Sequence, residues 1–212
     1  MKIDPVFWRA VSTSNLYDAE RLLKKGTIDV TASDNGAFHL AVTRTDHSMM
    51  ELLLKNGADA TSRNGRALTT AAENKDARSI EILVPYFSAP EWGELCDRCL
   101  INLVNKGHFG GEKECVKKLV PLCSQQACNT AFVCALQKYP AEEVFGVLYP
   151  RVDATTTLML WEKRLREDFF ANTSPYQEKH VERLKVLETA QQKQRIEQAL
   201  PQVSKATGPR KI

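Results

Sequence analysis

The sequence predicts an all-α fold of stacked helix pairs, a helix-turn-helix solenoid closed by a long C-terminal helix, and three observations carry that prediction. Asn35-Gly-Ala-Phe-His-Leu-Ala41, followed by Met49-Met-Glu-Leu-Leu-Leu-Lys-Asn-Gly-Ala-Asp59, recurs as Asn64-Gly-Arg-Ala-Leu-Thr-Thr-Ala-Ala72 followed by Ile80-Glu-Ile-Leu-Val84. Leu83-Val-Pro85, Leu119-Val-Pro121 and Leu148-Tyr-Pro150 stop a helix at intervals of about one repeat, because proline cannot continue one. Asn129-Thr-Ala-Phe-Val-Cys-Ala-Leu136 echoes Asn35 to Val42 without a gap. Repetition at this period is the mark of a solenoid.

The residues of each element have a local reason. Ala37, Phe38 and Ala41 share one side of a short helix, and the small Ala41 admits a close neighbour. Met49, Met50, Leu52, Leu53 and Leu54 form a stripe too wide for one helix pair to bury, so the next copy must cover it. Gly57 stands where a helix end favours a left-handed residue. The stretch resembles the ankyrin repeat in Asp34, Gly36, His39, Leu40, Ala41, Glu51, Leu52 to Leu54 and Gly57-Ala58-Asp59. It departs from that family where the Thr-Pro pair is replaced by Ala37 with one residue deleted, which weakens the cap of the first helix. The Val-Pro endings and the Glu114-Cys-Val-Lys117 run resemble microbial or phage ankyrin repeats.

About five ankyrin-like repeats are expected over residues 1–153. In the first, Phe7, Ala10, Val11, Glu20, Leu23 and Gly26 fall on Phe38, Ala41, Val42, Glu51, Leu54 and Gly57. Its outer face should be polar, as Arg9, Arg21 and Lys24 suggest, with Trp8 capping the stack rather than binding. The fourth opens on a capping box, Ser88-Ala-Pro-Glu91, and its Gly107-His108 turn is lengthened by Phe109 to Lys113. The fifth has its second helix at Glu142 to Tyr149. Residues 154–200 hold a degenerate sixth repeat around Leu158, Leu160, Trp161 and Leu165, then a capping helix. That helix opens on a capping box, Ser174-Pro-Tyr-Gln177, and carries a stripe of Val181, Leu184, Leu187, Ala190, Ile196 and Ala199 that Gln191 to Gln194 interrupt. Residues 201–212 read as a disordered basic tail.

Composition narrows the function. The chain of 212 residues, 43% hydrophobic and 26% charged, has an ordinary soluble balance. Of its net charge of +3, residues 151–212 hold twelve Lys/Arg against eight Asp/Glu. Such a balance is weak beside phosphate-binding stripes, so nucleic acid is not the expected partner, although the basic end keeps it as the alternative. Met1 to Trp8 has no apolar leader core and no stretch is long enough to span a membrane, so a cytoplasmic protein is expected, with delivery into a host cell left open.

The six cysteines include Cys96-x-x-Cys99 and Cys123-x4-Cys128, which could be halves of a zinc site near Cys115 or His108. Their repeat register instead places Cys99, Cys115 and Cys134 where small buried residues belong, so no metal and no cofactor is assigned. His39, His47, His108 and His180 occupy unrelated repeat positions, and no phosphate loop, zincin or nucleophile-elbow motif is present, so no catalytic residue is assigned either. The ankyrin resemblance implies that His39 bonds the loop backbone. It also implies that a protein partner is gripped by the inter-repeat loops and first helices, here Asn35, Thr43, Arg44, Arg63, Arg66, Glu73, Asn74, Asn105, Lys106 and Phe109. The expected function is therefore protein binding that blocks or sequesters a partner, of the immunity, anti-defence or effector type, with a two-ended scaffold as its nearest variant.

Overall fold

A computed structural model describes residues 3–106, 112–136, 142–167 and 175–206, and every regular element among them is helical. Two compact units are formed, Met1–Cys128 and Asn129–Ile212. The boundary precedes the expected one at 153, so the fifth helix pair groups with the C-terminal helices.

Within the first unit the helices alternate as first and second members of each pair. They are α1 (Pro5–Ser12) with α2 (Leu16–Lys24), α3 (Ala32–Thr43) with α4 (His47–Lys55), α5 (Ser62–Glu73) with α6 (Ala77–Leu83), and α7 (Gly93–Lys106) with α8 (Glu112–Leu119). First helices pack on first helices and second on second, because each pair's apolar stripe is closed only by its neighbour. The core repeats accordingly. Phe7, Phe38, Leu68 and Leu100 hold one register position in successive first helices and are completely buried, as are Met50 and Ile80, and Leu53 and Leu83, in the second helices. Burial of each such side chain contributes roughly 1.5–3 kcal/mol.

The turns between helices are equally regular. Asn15, Asp46 and Asp76 cap the second helices, accepting amide hydrogens from Asp18, from Met49, and from Arg78 and Ser79 respectively. Just before each cap, Ser14, Thr45 and Lys75 adopt φ of 53°, 55° and 55°, a left-handed helix end usually given to glycine. Gly57 also takes a left-handed φ, as its sequence position suggested.

Where the Thr-Pro pair is missing, the first helices start without a side-chain cap at Thr31 and Thr61. A left-handed turn takes over, built from Ser33, Asp34 and Asn35 in one repeat and Arg63, Asn64 and Gly65 in the next. Gly65 suits this turn at φ 70°: a Cβ would collide with the Leu95 side chain and lie 2.8 Å from Phe87. The expected capping box at Ser88 does not form. Ala89 before Pro90 is extended, and the Ser88 hydroxyl donates back to the Pro85 carbonyl, so a 3-10 turn over Pro90–Trp92 leads into α7.

The Leu-x-Pro endings behave alike in both units. The helices stop at Leu83, Leu119 and Leu148, all completely buried, and each proline sits in a following 3-10 turn. The open face of the first repeat departs from expectation. Val6 is 61% exposed although Ala37 and Ala67 at its register are buried, and Leu16 and Tyr17 are exposed beside it, so this face is partly apolar.

In the second unit, α10 (Glu142–Leu148) and α11 (Ala154–Glu167) are followed by α12 (Pro175–Ala206), while α9 (Gln125–Leu136) runs across the boundary. The N-terminal half of α12 is tied back onto this unit. Leu184 and His180 are completely buried, His180 stacks on Phe145 with ring centres 4.0 Å apart, and Tyr149 meets His180 Nδ1 at 3.1 Å. Gln191, expected to interrupt the packing stripe, instead accepts from the Ala154 amide and donates to the Val152 carbonyl, both at 3.0 Å. Gln177 donates to the Leu136 carbonyl at 3.1 Å, whereas the Ser174 of its expected capping box lies outside the described residues. Farther on, Ala190 and Ile196 are exposed, so the proposed stripe is buried only in part. The helix passes Leu200, where a stop was expected, and continues to Ala206 with Pro201 inside it.

Candidate protein-binding face

Sequence-expected binding residues gather mainly on the first-helix side of the first unit. A groove there is lined by Ile3, Trp8, Gly36, His39, Thr43 and Arg66, among others. Gly36 makes room for it, since a Cβ at that position would come within 3.0 Å of Ile3. Trp8 lies in this groove, 39% exposed, rather than serving only as a cap.

The groove's two arginines differ. Arg63 is held in place, donating to Asp34 at 3.1 Å and to the Ser33 carbonyl at 2.7 Å. Arg66 is exposed and has no hydrogen-bond or ion-pair partner among the described residues. Its guanidinium is therefore free to meet a carboxylate, for which a planar fork of donors is well matched.

His39, at the back of the groove, is buried and bonded through Nε2 to the Ser62 hydroxyl at 2.9 Å. Ser62 in turn donates to the Asp59 carbonyl at 2.9 Å, so the histidine reaches the loop backbone through a hydroxyl rather than directly. Because that hydroxyl's hydrogen is committed to Asp59, Nε2 carries the imidazole hydrogen. Burial, reinforced by Arg63 and Arg66, holds the His39 pKa below its ordinary value and keeps the ring neutral.

Asn35 does not belong to the exposed set. It is 5% exposed, and its side-chain oxygen accepts from the Asp59 amide at 2.7 Å. Asn129 does the same for the Asp153 amide at 2.9 Å, so the sequence echo marks a structural bond. Arg44 is exposed but its guanidinium is spent on the Ser12 carbonyl. Thr43 is exposed with its hydroxyl bonded to the His39 carbonyl at 2.8 Å. Glu73, Asn74, Asn105 and Lys106 are exposed at the ends of α5 and α7, and Glu73 pairs with Lys106 at 3.8 Å. Phe109 lies outside the described residues.

A second cavity, of about 400 Å³, opens between α5 and α7. Its floor is Ala72, Leu95, Cys99 and Leu103, and Thr69, Arg98, Asn102 and Lys106 stand around it. Sequence reasoning missed it. The available signal was the pair of small residues Thr69 and Ala72 facing the next first helix, which leave volume that a larger residue would fill.

The cysteines behave as small apolar groups. Cys96, Cys99, Cys115, Cys123 and Cys128 are buried. Burial pushes the Cys96 and Cys115 thiols up to about 11 and those of Cys99 and Cys123 upward as well, which keeps them protonated at neutral pH. Among the described residues no group of three His, Cys, Asp or Glu is placed to hold a metal ion. No helix there is long and apolar enough to cross a membrane.

The Ankyrin repeat family model matches residues 33–65, which run from the left-handed turn of one repeat to that of the next. The chain thus carries an ankyrin repeat. No match to the chain was found among curated proteins or among solved structures. The ankyrin match and the helical stacking together indicate a protein-interaction module.

Proposed function

We propose that this ankyrin-repeat protein grips a partner protein on the first-helix face of its N-terminal unit and acts by occupying that partner, as an inhibitor or sequestering protein of the immunity, anti-defence or effector type. The observation that carries the reading is the groove in which half-exposed Trp8 stands with unpartnered Arg66. Tryptophan and arginine are the side chains that most often anchor protein interfaces. Thr43 and Arg63 edge the same groove, whereas Asn35 and His39 hold its frame. Stacked helix pairs are preformed, so docking orders little of the backbone and a few anchors suffice. The binding set is therefore Trp8, Thr43, Arg63 and Arg66, extended by Glu73, Asn74, Asn105 and Lys106.

The test is a pull-down from lysate of the source organism with the wild type beside Trp8→Ala/Arg66→Glu. One protein retained by the wild type and lost by the folded variant is the expected result. The partner's own activity, titrated with the purified chain, should then fall to its floor at about equal concentrations of the two. Equal recovery by the variant would move the binding face elsewhere. Full activity in the saturated complex would reject inhibition.

A further inference from the structure

The cavity between α5 and α7 has a chemistry of its own. Its floor is apolar, and the cations around it are not equivalent. Lys106 pairs with Glu73 and Lys75 with Glu112, both within the protein. Arg98 is exposed and has no hydrogen-bond or ion-pair partner among the described residues. Its register is informative: Ala67, Leu68, Ala71 and Ala72 of α5 correspond to Cys99, Leu100, Leu103 and Val104 of α7, so Arg98 repeats the position of Arg66. Two uncommitted guanidiniums thus occupy one row on adjacent first helices, separated by about one helix-to-helix spacing, roughly 8–10 Å.

We infer that this cavity receives one large apolar side chain from an acidic partner segment, whose flanking carboxylates are held by Arg98 and Arg66. The inference rests on the protein-binding reading and specifies the partner's chemistry. A volume of about 400 Å³ accommodates an aromatic ring with its adjoining backbone. An extended segment rises about 3.3 Å per residue and turns alternate side chains to opposite faces, so carboxylates four residues apart share a face with the apolar residue midway between them and span about 13 Å, which their flexible side chains close onto the two arginines. A basic segment would meet repulsion from Arg98 and Arg66, and an uncharged one would leave both without a counter-ion.

The test is a display library of random 12-residue peptides selected on the wild-type chain, with individual binders then measured on three folded variants. Arg98→Glu reverses the unpartnered charge. Asn102→Trp, at an exposed rim position, blocks the cavity without altering the core. Trp8→Ala probes the neighbouring groove. The expected outcome is enrichment of Phe, Trp or Leu between Asp or Glu residues, with affinity at least tenfold weaker on Arg98→Glu and on Asn102→Trp, and with binding nearly unchanged on a fourth, charge-conserving variant, Arg98→Lys. Peptides without acidic enrichment that are nevertheless lost on Trp8→Ala would overturn the acidic-anchor inference and leave the binding face standing. Binders indifferent to all three variants would overturn both, and a selection that enriches nothing would count against the cavity as an anchor site.

Discussion

The bond between Asn35 and the Asp59 amide and the bond between Asn129 and the Asp153 amide are the same contact made in two settings. Beyond the first lies another repeat, whose Ser62 completes a buried polar link with His39 of α3. Beyond the second lies α12, which supplies Gln191 to the Val152 carbonyl and the Ala154 amide and pairs Arg195 with Asp153. The polar brace inside the repeat is thus constant while its covering changes. A long helix serves as well as another repeat, provided that it satisfies the same backbone groups.

The comparison is broken most forcefully at the matching left-handed turn that opens α5. Gly65→Ala drives a Cβ into Leu95 and Phe87 at a left-handed position, and should cost about 3 kcal/mol or more in a denaturant melt. Gly57→Ala, also left-handed but facing open space, should cost only about 1 kcal/mol. Equal costs would mean that close approach at Gly65 does not set the turn.

Next come the braces. Asn35→Ala and Asn129→Ala each leave an amide without its partner and should destabilise by about 1–3 kcal/mol. Gln191→Ala should cost about 1–2 kcal/mol by the same reasoning, read by amide exchange at Ala154. A large effect at Asn35 beside none at Asn129 would show that the two repeats are not braced alike.

Asp76 sharpens the comparison through pH. Burial raises its carboxyl, but hydrogen bonds from the Ser79 hydroxyl, His47 and the Ser79 amide overcome this and hold its pKa below the ordinary value. The stability it contributes is present above its unfolded pKa near 3.8 and is lost as pH falls through the lower folded value. Asp76→Asn should therefore flatten that acid limb and cost less than about 1 kcal/mol near neutrality, because asparagine still caps. The smallest effect has the opposite sign. Thr45→Gly relieves a left-handed threonine and should stabilise by up to about 1 kcal/mol, net of glycine's greater unfolded freedom.

The repeat frame was legible because helix period, proline stops and paired glycines are local signals, and Phe38, Leu53 and Leu83 lie buried where the pattern put them. The groove was legible in part. Thr43, Arg63 and Arg66 came together in the groove, but Asn35 looked like a surface polar residue when its partner amide lies twenty-four residues on, in the loop after α4. Gln191 misled for the same reason: a glutamine in an apolar stripe reads as an interruption unless the backbone groups opposite it are known. The α5–α7 cavity depends on how two helices leave space between them, which no single segment encodes.

The buried link from His39 to Ser62 also bears on how near-identical units find their proper neighbours during folding. Helix pairs with interchangeable apolar stripes can stack out of order, since one Leu-lined face resembles another. A buried histidine that requires one particular hydroxyl on the following helix pair penalises every stack in which that hydroxyl is elsewhere, and so acts as a proofreading contact for assembly order.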